Sequence, residues 1–192
     1  MDAQAVTVLL AQCQGGDKRA WDALVEAYWQ RLYGFAWQST KNRELAHDLV
    51  QETFLRVVQK LERYDHRDKF DAWLFRILVN LIRDHSRARV RHPIRSTVVD
   101  CASGAEITDD MAARTCQPSD PVHHQEDVQR LYEALEQLPD MDRQVLLLRH
   151  YGEMPFKDIA KTLNCPLGTV LARAHRALGK LRVFMEVDHE TA

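Results

Sequence analysis

The sequence predicts an all-α protein made of two small helical bundles, joined by a flexible linker, with a helix-turn-helix in the second bundle. Apolar side chains recur at steps of three and four residues along most of the chain, whereas no segment alternates as a strand would. One polar, acidic stretch, STVVDCASGAEITDDMAARTCQPSDP, interrupts this pattern and contains Gly and Pro. Beyond it, two short amphipathic segments flank a turn, which predicts the helix-turn-helix.

Three helices are predicted in the first part of the chain, before the segment that carries most of its arginines. An apolar stretch from Val6 to Cys13 comes first, and Asp17 is placed to cap the second helix through its carboxylate. The second and third helices each carry one apolar stripe at helical spacing. The residues predicted to be buried are Trp21, Leu24, Val25, Tyr28, Leu32 and Phe35 in the second helix and Ala46, Leu49, Val50, Phe54, Val57 and Leu61 in the third.

A fourth helix is predicted over FDAWLFRILVNLIRDHSRARVR, which joins an apolar face to a row of polar and basic side chains. Arg76, Asn80, Arg83 and Arg87 follow one another by four, three and four residues, so they share a face and can be held against an anion. Tyr64 borders the loop before this helix, where an aromatic ring can stack on an unpaired base. The alternative is that the aromatics here are ordinary core. The predicted apolar face comprises Phe70, Trp73, Leu74, Ile77, Leu78 and Leu81.

The interruption divides the chain into residues 1–95, a linker over 96–122, a second bundle over 123–185 and a tail over 186–192. The second bundle opens with EDVQRLYEALEQL, and Pro139 is expected to end that helix because proline cannot continue the hydrogen-bond ladder. At this size the bundle is near the lower limit for independent folding. The stripe predicted for its first helix is Val128, Leu131, Tyr132, Leu135 and Leu138.

FKDIAKTLNCPLGTVLARAHRAL predicts the helix-turn-helix. Asn164 stands where the chain must turn and tolerates the left-handed conformation, and Pro166 suits the first turn of the next helix. An inner face of Val170, Ala174 and Leu178 would turn the other side of that helix toward a major groove. The alternative is a plain helical hairpin with a solvated basic face. The residues predicted to reach DNA there are Thr169, Leu171, Arg173, His175 and Arg176.

Composition and charge narrow the class of protein. The net charge of −2 hides a segregated distribution, since a basic block around Arg83 to Arg95 is followed by an acidic stretch and then a basic end. No apolar run reaches the length of a membrane span, and the start of the chain lacks the basic region of a signal peptide. The four cysteines are far apart, which is typical of reduced thiols in a cytoplasmic protein. We therefore expect no direct membrane insertion.

The sequence resembles the extracytoplasmic-function sigma factors, the two-domain initiation factors of bacterial RNA polymerase. The resemblance covers nearly the whole chain. It rests on AWDALVEAYWQRLYGFA, AHDLVQETFLRVVQKLERYD, FDAWLFRILVNLIRDHSR, the unpatterned linker and LEQLPDMDRQVLLLRHYGEMPFKDIAKTLNCPLGTVLARAHRAL, in that order and spacing. It implies core RNA polymerase and promoter DNA as partners, an anti-sigma factor as a regulator, and no catalytic activity.

The resemblance also implies roles for individual residues. Within DLVQETF and the residue after it, the surface for core polymerase is Asp48, Gln51, Glu52 and Leu55. The face with Arg76, Asn80, Arg83 and Arg87, together with Tyr64 beside the preceding loop, matches the part that melts and captures the −10 element. The helix around Arg173 and Arg176 matches the part that reads the −35 duplex, and Arg149 matches a position that steadies the DNA backbone. Leu171 and Ala172 depart from the basic or hydroxyl side chains common there.

Three alternatives compete with a sigma factor. A helix-turn-helix regulator that is not a sigma factor would need a receiver or sensor domain, whose α/β alternation is absent from the sequence. A metal-dependent phosphohydrolase could use the His47–Asp48 pair, but no converging ligand set can be assembled. A zinc sensor built from the cysteines and the His123–His124 pair is similarly weak. We therefore expect no metal, cofactor or small-molecule substrate. Cys101 and Cys116 are the only candidates for a redox role.

Overall fold

The computed structural model describes residues 3–64, 69–91 and 121–187 of the chain. These residues form eight helices and, within the described ranges, no strand, which confirms the all-α prediction. Residues 96–120 of the predicted linker lie outside the described residues, as do Cys101 and Cys116, whereas residues 121 and 122 belong to the first turn of a helix. The helices are α1 (Ala3–Gln14), α2 (Lys18–Thr40), α3 (Arg43–Leu61), α4 (Phe70–Arg91), α5 (Pro121–Glu136), α6 (Asp140–His150), α7 (Phe156–Leu163) and α8 (Leu167–Val187).

Short polar caps separate α2 from its neighbours. Asp17 caps α2 as predicted, because its Oδ1 accepts a hydrogen bond from the Arg19 backbone N–H at 2.9 Å. At the other end Lys41 takes the left-handed conformation, with φ of 54°, and donates its N–H to the Trp37 carbonyl. Asn42 then caps α3 by accepting from the Leu45 N–H at 3.0 Å. Two residues therefore turn the chain between long helices, which pack against each other along their lengths.

The first bundle, α1 to α4, is built on the predicted stripes. All six residues predicted in α3 are buried, and so are four of the six in α2, while Trp21 and Val25 are partly buried at its edge. In α4 the predicted face is buried except for Trp73, which is partly exposed. Removing this much apolar surface from water is the main stabilisation of such a small bundle.

Helix α4 is buried over a wider sector than the sequence predicted. Phe75, Val79 and Ile82 are also buried, at 0%, 0% and 7% exposure. At about 100° per residue, Val79 points about 170° away from the centre of the predicted stripe. Helix α4 contacts α2 and α3, and it also contacts α7 of the second bundle. A helix that is packed on several sides buries more than one stripe.

The second bundle, α5 to α8, corrects two sequence predictions. Leu178 was expected to pack inward but is 57% exposed, and Ala177 is buried in its place. The helical repeat of 3.6 residues explains the correction, because Val170, Ala174 and Ala177 stay on one face whereas a further step of four drifts off it. Leu131 of α5 is likewise 39% exposed.

Pro139 was predicted to end α5, but in the structure it lies at the start of α6. Helix α5 ends at Glu136, three residues before Pro139, and Pro139 instead stands at the start of α6. There its carbonyl accepts hydrogen bonds from the N–H groups of Asp142 and Arg143, both at 2.9 Å. Proline therefore serves as a helix start here, where its missing N–H has no intrahelical partner to lose.

The two bundles are in contact. One continuous apolar cluster joins the core of the first bundle to Val145, Leu148, Met154 and Ile159 of the second, while a small separate cluster forms around Leu138 between α5 and α8. Helix α2 contacts α6, and α4 contacts α7. The sequence predicted both bundles but gave no sign that they pack together.

Among the described residues, none of the helices combines the length and apolar character needed to cross a bilayer.

Candidate protein and nucleic-acid interfaces

Helix α3 presents one outward face opposite its buried stripe. Asp48, Gln51 and Leu55 are exposed on it, and Glu52 is partly exposed and bonded to Arg56 at 2.8 Å. This is the face predicted for polymerase binding, and its side chains are free of the bundle core.

Two aliphatic side chains on this face are largely exposed to solvent. Leu55 is 58% exposed and Val58, one turn further on, is 53% exposed. Sequence reasoning missed Val58, although its spacing from Gln51 and Leu55 places it on the same face. Aliphatic side chains next to carboxylates on an open helix face are typical of a protein-docking surface.

The polar row of α4 is open to solvent over most of its length. Arg76, Asn80 and Arg87 are exposed, and Arg83 is partly buried. Burial, followed by the charge of nearby Arg87, lowers the pKa of Arg83 from its usual range. Arg87 lies 3.9 Å from Asp84, an exposed pair that adds little stability. The four residues therefore form one polar face with three cations.

Aromatic rings gather at the start of α4. Tyr64 packs against Trp73 with ring centroids 4.5 Å apart, and both rings contact Phe70. Phe70 is 2% exposed and belongs to the core, as the simpler reading expected, whereas Tyr64 and Trp73 are partly exposed. Residues 65–68 of the adjoining loop lie outside the described residues.

The helix-turn-helix has the predicted turn. Asn164 is left-handed, with φ of 53° and ψ of 51°, and the next N–H, of Cys165, donates to the Ala160 carbonyl at 3.0 Å. Pro166 accepts from the N–H groups of Thr169 and Val170 and so starts α8. On the outer side of α8, Leu171, His175 and Arg176 are exposed, and Thr169 and Arg173 are partly exposed.

Arg176 is held by a carboxylate that sequence reasoning did not identify. Its Nε and Nη2 donate to Oδ2 and Oδ1 of Asp142 at 3.3 and 3.2 Å. The Asp142 side chain is 6% exposed, whereas that of Arg176 is 57% exposed. A bidentate contact with a buried carboxylate fixes the plane of the guanidinium while leaving much of it open. Asp142 lies 34 residues away, so no local pattern could have linked the two.

Arg149 is also anchored, in this case by the loop that follows α6. Its Nη1 donates to the Met154 carbonyl at 3.0 Å, and its guanidinium lies 5.6 Å from the Phe156 ring centroid. The residue remains exposed. In this structure Arg149 therefore stabilises the loop between α6 and α7.

Within residues 3–64, 69–91 and 121–187, the side chains proposed above as metal ligands form no cluster. No group of three or more His, Cys, Asp or Glu side chains with ligand geometry occurs among the residues that the structure describes. The His47 ring packs edge-on against Trp29, with centroids 5.2 Å apart. Cys13 is buried, and burial together with the Asp17 charge raises the pKa of its thiol.

Comparisons with known proteins match both bundles. Residues 24–92 match Sigma-70 region 2, and residues 128–181 match Sigma-70, region 4. The RNA polymerase sigma-H factor of Pseudomonas aeruginosa is 32% identical over 171 residues, which cover 88% of each chain. The ECF RNA polymerase sigma factor SigW of Bacillus subtilis is 30% identical over 173 residues, or 90% of this chain and 92% of SigW.

Two solved structures share the fold. CnrH in complex with the cytosolic domain of CnrY aligns with a TM-score of 0.65 at 25% identity, over 97% of this chain and 99% of CnrH. The sigma factor RpoE of Bartonella quintana, in complex with the anti-sigma factor NepR, aligns with a TM-score of 0.64 at 24% identity. That alignment covers 87% of this chain and 97% of RpoE.

Proposed function

The chain belongs to the extracytoplasmic-function family of RNA polymerase sigma factors and acts as an alternative sigma factor, and we propose how its surfaces divide that work. The first bundle docks on core RNA polymerase and captures the −10 strand, while the second bundle reads the −35 element as duplex. The division into residues 1–95, a linker over 96–122 and residues 123–185 is part of this proposal. The match of residues 24–92 to Sigma-70 region 2 supports a sigma factor over the regulator alternative, which would need a receiver or sensor domain in that part of the chain.

The α3 face with Asp48, Gln51, Glu52 and Leu55 is the proposed polymerase-binding surface, and we add Val58 to it. Docking would cover the two aliphatic side chains, each of which gains about 1.5–3 kcal/mol when it is fully buried. Because both side chains remain about half exposed in the free chain, part of that gain is available to a partner. The carboxylates around them favour a basic partner surface.

The polar face of α4, Arg76, Asn80, Arg83 and Arg87, is the proposed −10 surface. The cations would follow the phosphates of the separated strand, and the Asn80 amide can both donate to and accept from a base edge. Tyr64 is partly exposed at the end of this face, where an unpaired base can stack on an aromatic ring.

Helix α8 is the proposed −35 reader. Arg173 and Arg176 would face the major groove together with Thr169 and His175, and Leu171 offers an apolar contact for a thymine methyl group. Asp142 presents Arg176 in a fixed plane, and a guanidinium fixed in this way suits bidentate reading of a guanine edge. Arg149, held by the Met154 carbonyl, would steady the DNA backbone.

The observation that carries the proposal is that one chain presents three separate exposed surfaces: an acidic and apolar face on α3, a cationic row on α4 and a cationic recognition helix on α8. An enzyme has no need of this arrangement, and we propose that the chain has no catalytic activity. A factor that works on RNA polymerase acts in the cytoplasm. RpoE of Bartonella quintana was solved with an anti-sigma factor, and we propose the same class of regulator for this chain.

Run-off transcription with purified core polymerase and a promoter library tests the function. We expect transcripts from a defined subset of promoters only when the chain is added. With its net charge of −2, the chain alone should bind the same promoters weakly, since polymerase supplies much of the phosphate binding. A folded chain that yields no template-specific transcript would refute the proposal.

A further inference from the structure

We propose that Tyr28, inside the first bundle, is a positioning residue for the capture of the −10 strand. It holds the aromatic cluster at the start of α4, which consists of Tyr64, Phe70 and Trp73, and it acts without a contact to DNA. One ring contact and one hydrogen bond link Tyr28 to this cluster. The inference rests on the proposed function for its consequence, whereas the positioning itself stands on contacts within the first bundle.

The ring of Tyr28 supports the aromatic cluster through Phe70. Tyr28 is 1% exposed and Phe70 is 2% exposed, and their rings meet edge-on with centroids 5.3 Å apart. Phe70 in turn contacts Tyr64 and Trp73, with centroids 5.8 and 5.7 Å away. Aromatic rings attract one another at such separations. Tyr28 is therefore the inner support of two rings, Tyr64 and Trp73, that are partly exposed.

The hydroxyl of Tyr28 provides a second link, to the first turn of α4. It donates a hydrogen bond to the carboxylate of Asp71, the residue that follows Phe70. Burial, followed by the charge of Asp71, raises the pKa of Tyr28, so the hydroxyl keeps its proton near neutral pH and remains a donor. A hydrogen bond to an ionised acceptor is stronger than one between neutral groups. This bond therefore fixes the backbone beside Phe70.

A second side chain of α2 holds the same carboxylate. Nη2 of Arg31 lies 2.8 Å from Oδ1 of Asp71, and the guanidinium carbon lies 5.3 Å from the centroid of the Tyr28 ring. Tyr28 and Arg31 are three residues apart, so they share one face of α2. The Arg31 and Asp71 side chains are 22% and 38% exposed, so water screens their ion pair in part. Asp71 is thus held from α2 by two donors.

The start of α4 depends on such side-chain contacts for its position. The Trp73 N–H donates to the Lys69 carbonyl at 3.0 Å, whereas the N–H groups of a first helical turn have no acceptor within their own helix. An acidic residue in that turn, here Asp71, favours the helix through its dipole. The dipole does not determine where the helix begins relative to α2. The contacts of Asp71 with Tyr28 and Arg31 do.

Capture of an unpaired base depends on the outer rings of the cluster. Tyr64 and Trp73 lie with centroids 4.5 Å apart, and a base can stack only on a ring that is held with its face accessible. When only a fraction of the molecules has the cluster in place, the apparent affinity for the strand falls by that fraction. Tyr28 therefore acts on capture through Phe70 and Asp71.

Tyr28→Phe tests the proposal because it removes the hydroxyl and keeps the ring. With reconstituted holoenzyme and a promoter from the run-off library, permanganate should detect about threefold to tenfold less −10 opening, since the bond to Asp71 is partly exposed. Binding to core polymerase and to the −35 duplex should not change. Tyr33→Phe is the matched control, because Tyr33 is partly exposed and lies about 140° around α2 from Tyr28. Equal losses in all three measurements would show a structural role alone and overturn the proposal.

Variants of Asp71 identify the hydrogen bond as the cause. Asp71→Asn keeps an acceptor oxygen for the Tyr28 hydroxyl, so it should open more of the −10 region than Asp71→Ala. In the Asp71→Ala background, adding Tyr28→Phe should cause no further loss, and a further loss of similar size would contradict the link. If circular dichroism shows that Asp71→Ala does not fold, the Asp71→Asn background decides. Adding Tyr28→Phe should then still reduce opening, and an unchanged level would overturn the proposal.

Hydrogen exchange of the free full-length chain tests the positioning without polymerase or promoter. Tyr28→Phe should speed the exchange of backbone amides at the start of α4 by about threefold to tenfold, and Tyr33→Phe should not. Unchanged exchange there would overturn the positioning. If wild type opens promoters and Tyr28→Phe opens them equally well, the role of Tyr28 fails and the proposed function stands. If wild type opens none while the exchange results hold, the proposed function fails together with the role in capture, and only the positioning stands.

Discussion

Replacing Asp142 with asparagine should impair both the stability of the second bundle and the precision of −35 reading. The carboxylate is buried and accepts two hydrogen bonds from Arg176. Hydrogen bonds to charged groups contribute about 1.5–3 kcal/mol. Because both distances exceed 3 Å and the Arg176 side chain is 57% exposed, we take the lower end of that range, about 1.5 kcal/mol.

The expected magnitude follows from that value. For a chain of this size, about 1.5 kcal/mol corresponds to a fall in Tm of about 3–6 °C. Asparagine keeps the shape of the side chain but removes its charge, so Arg176 loses its fixed plane without a change of volume. We therefore expect transcription from promoters with a substituted −35 base to fall less, relative to the best promoter, than with the wild-type chain.

Thermal melting followed by circular dichroism measures the first effect, and run-off transcription from a library randomised at −35 measures the second. Asp140→Asn is the matched control, because Asp140 is 89% exposed and pairs with Arg143 in the same helix. Arg176→Ala would leave Asp142 buried and unpaired, so its loss of DNA binding has to be corrected for the measured change in stability. An Asp142→Asn chain that melts within 1 °C, or about 0.3 kcal/mol, of wild type and keeps its promoter profile would refute the reasoning.

Three further predictions concern the other surfaces. Val58→Asp should weaken binding to core polymerase about tenfold or more in a fluorescence titration. The control is Val8→Asp on α1, which should leave binding unchanged, because Val8 is 59% exposed and Val58 is 53% exposed. Equal losses of affinity in the two variants would contradict the assignment of the α3 face. Arg76→Ala should reduce the opening of the −10 region, detected with permanganate, and the salt dependence of that opening. The control Arg19→Ala, at another exposed arginine, should change neither. An effect of Arg76→Ala on −35 binding alone would contradict the assignment of the α4 face. Burial raises the pKa of the Cys13 thiol, so little of its thiolate is present at pH 8. Mass spectrometry should therefore find that iodoacetamide alkylates Cys13 more slowly than the partly exposed Cys165. Faster alkylation of Cys13 would contradict this explanation of its reactivity.

The sequence predicted what depends on local periodicity. The stripes of α2 and α3, the cap at Asp17 and the left-handed turn at Asn164 each follow from neighbouring residues, and each occurs in the structure. The exposure of Arg76 and Asn80 followed in the same way, because a helix with one apolar stripe turns its polar residues outward. The error at Leu178 was one of phase, since steps of four accumulate an angular drift over two turns.

Contacts between distant residues were beyond the reach of those patterns. The Asp142–Arg176 pair joins α6 to α8, and the Arg31–Tyr151 contact joins residues 120 positions apart. The local sequence around each of these four residues gives no sign of its distant partner. Tertiary packing alone decides that these polar groups meet a partner and that Val79 is covered.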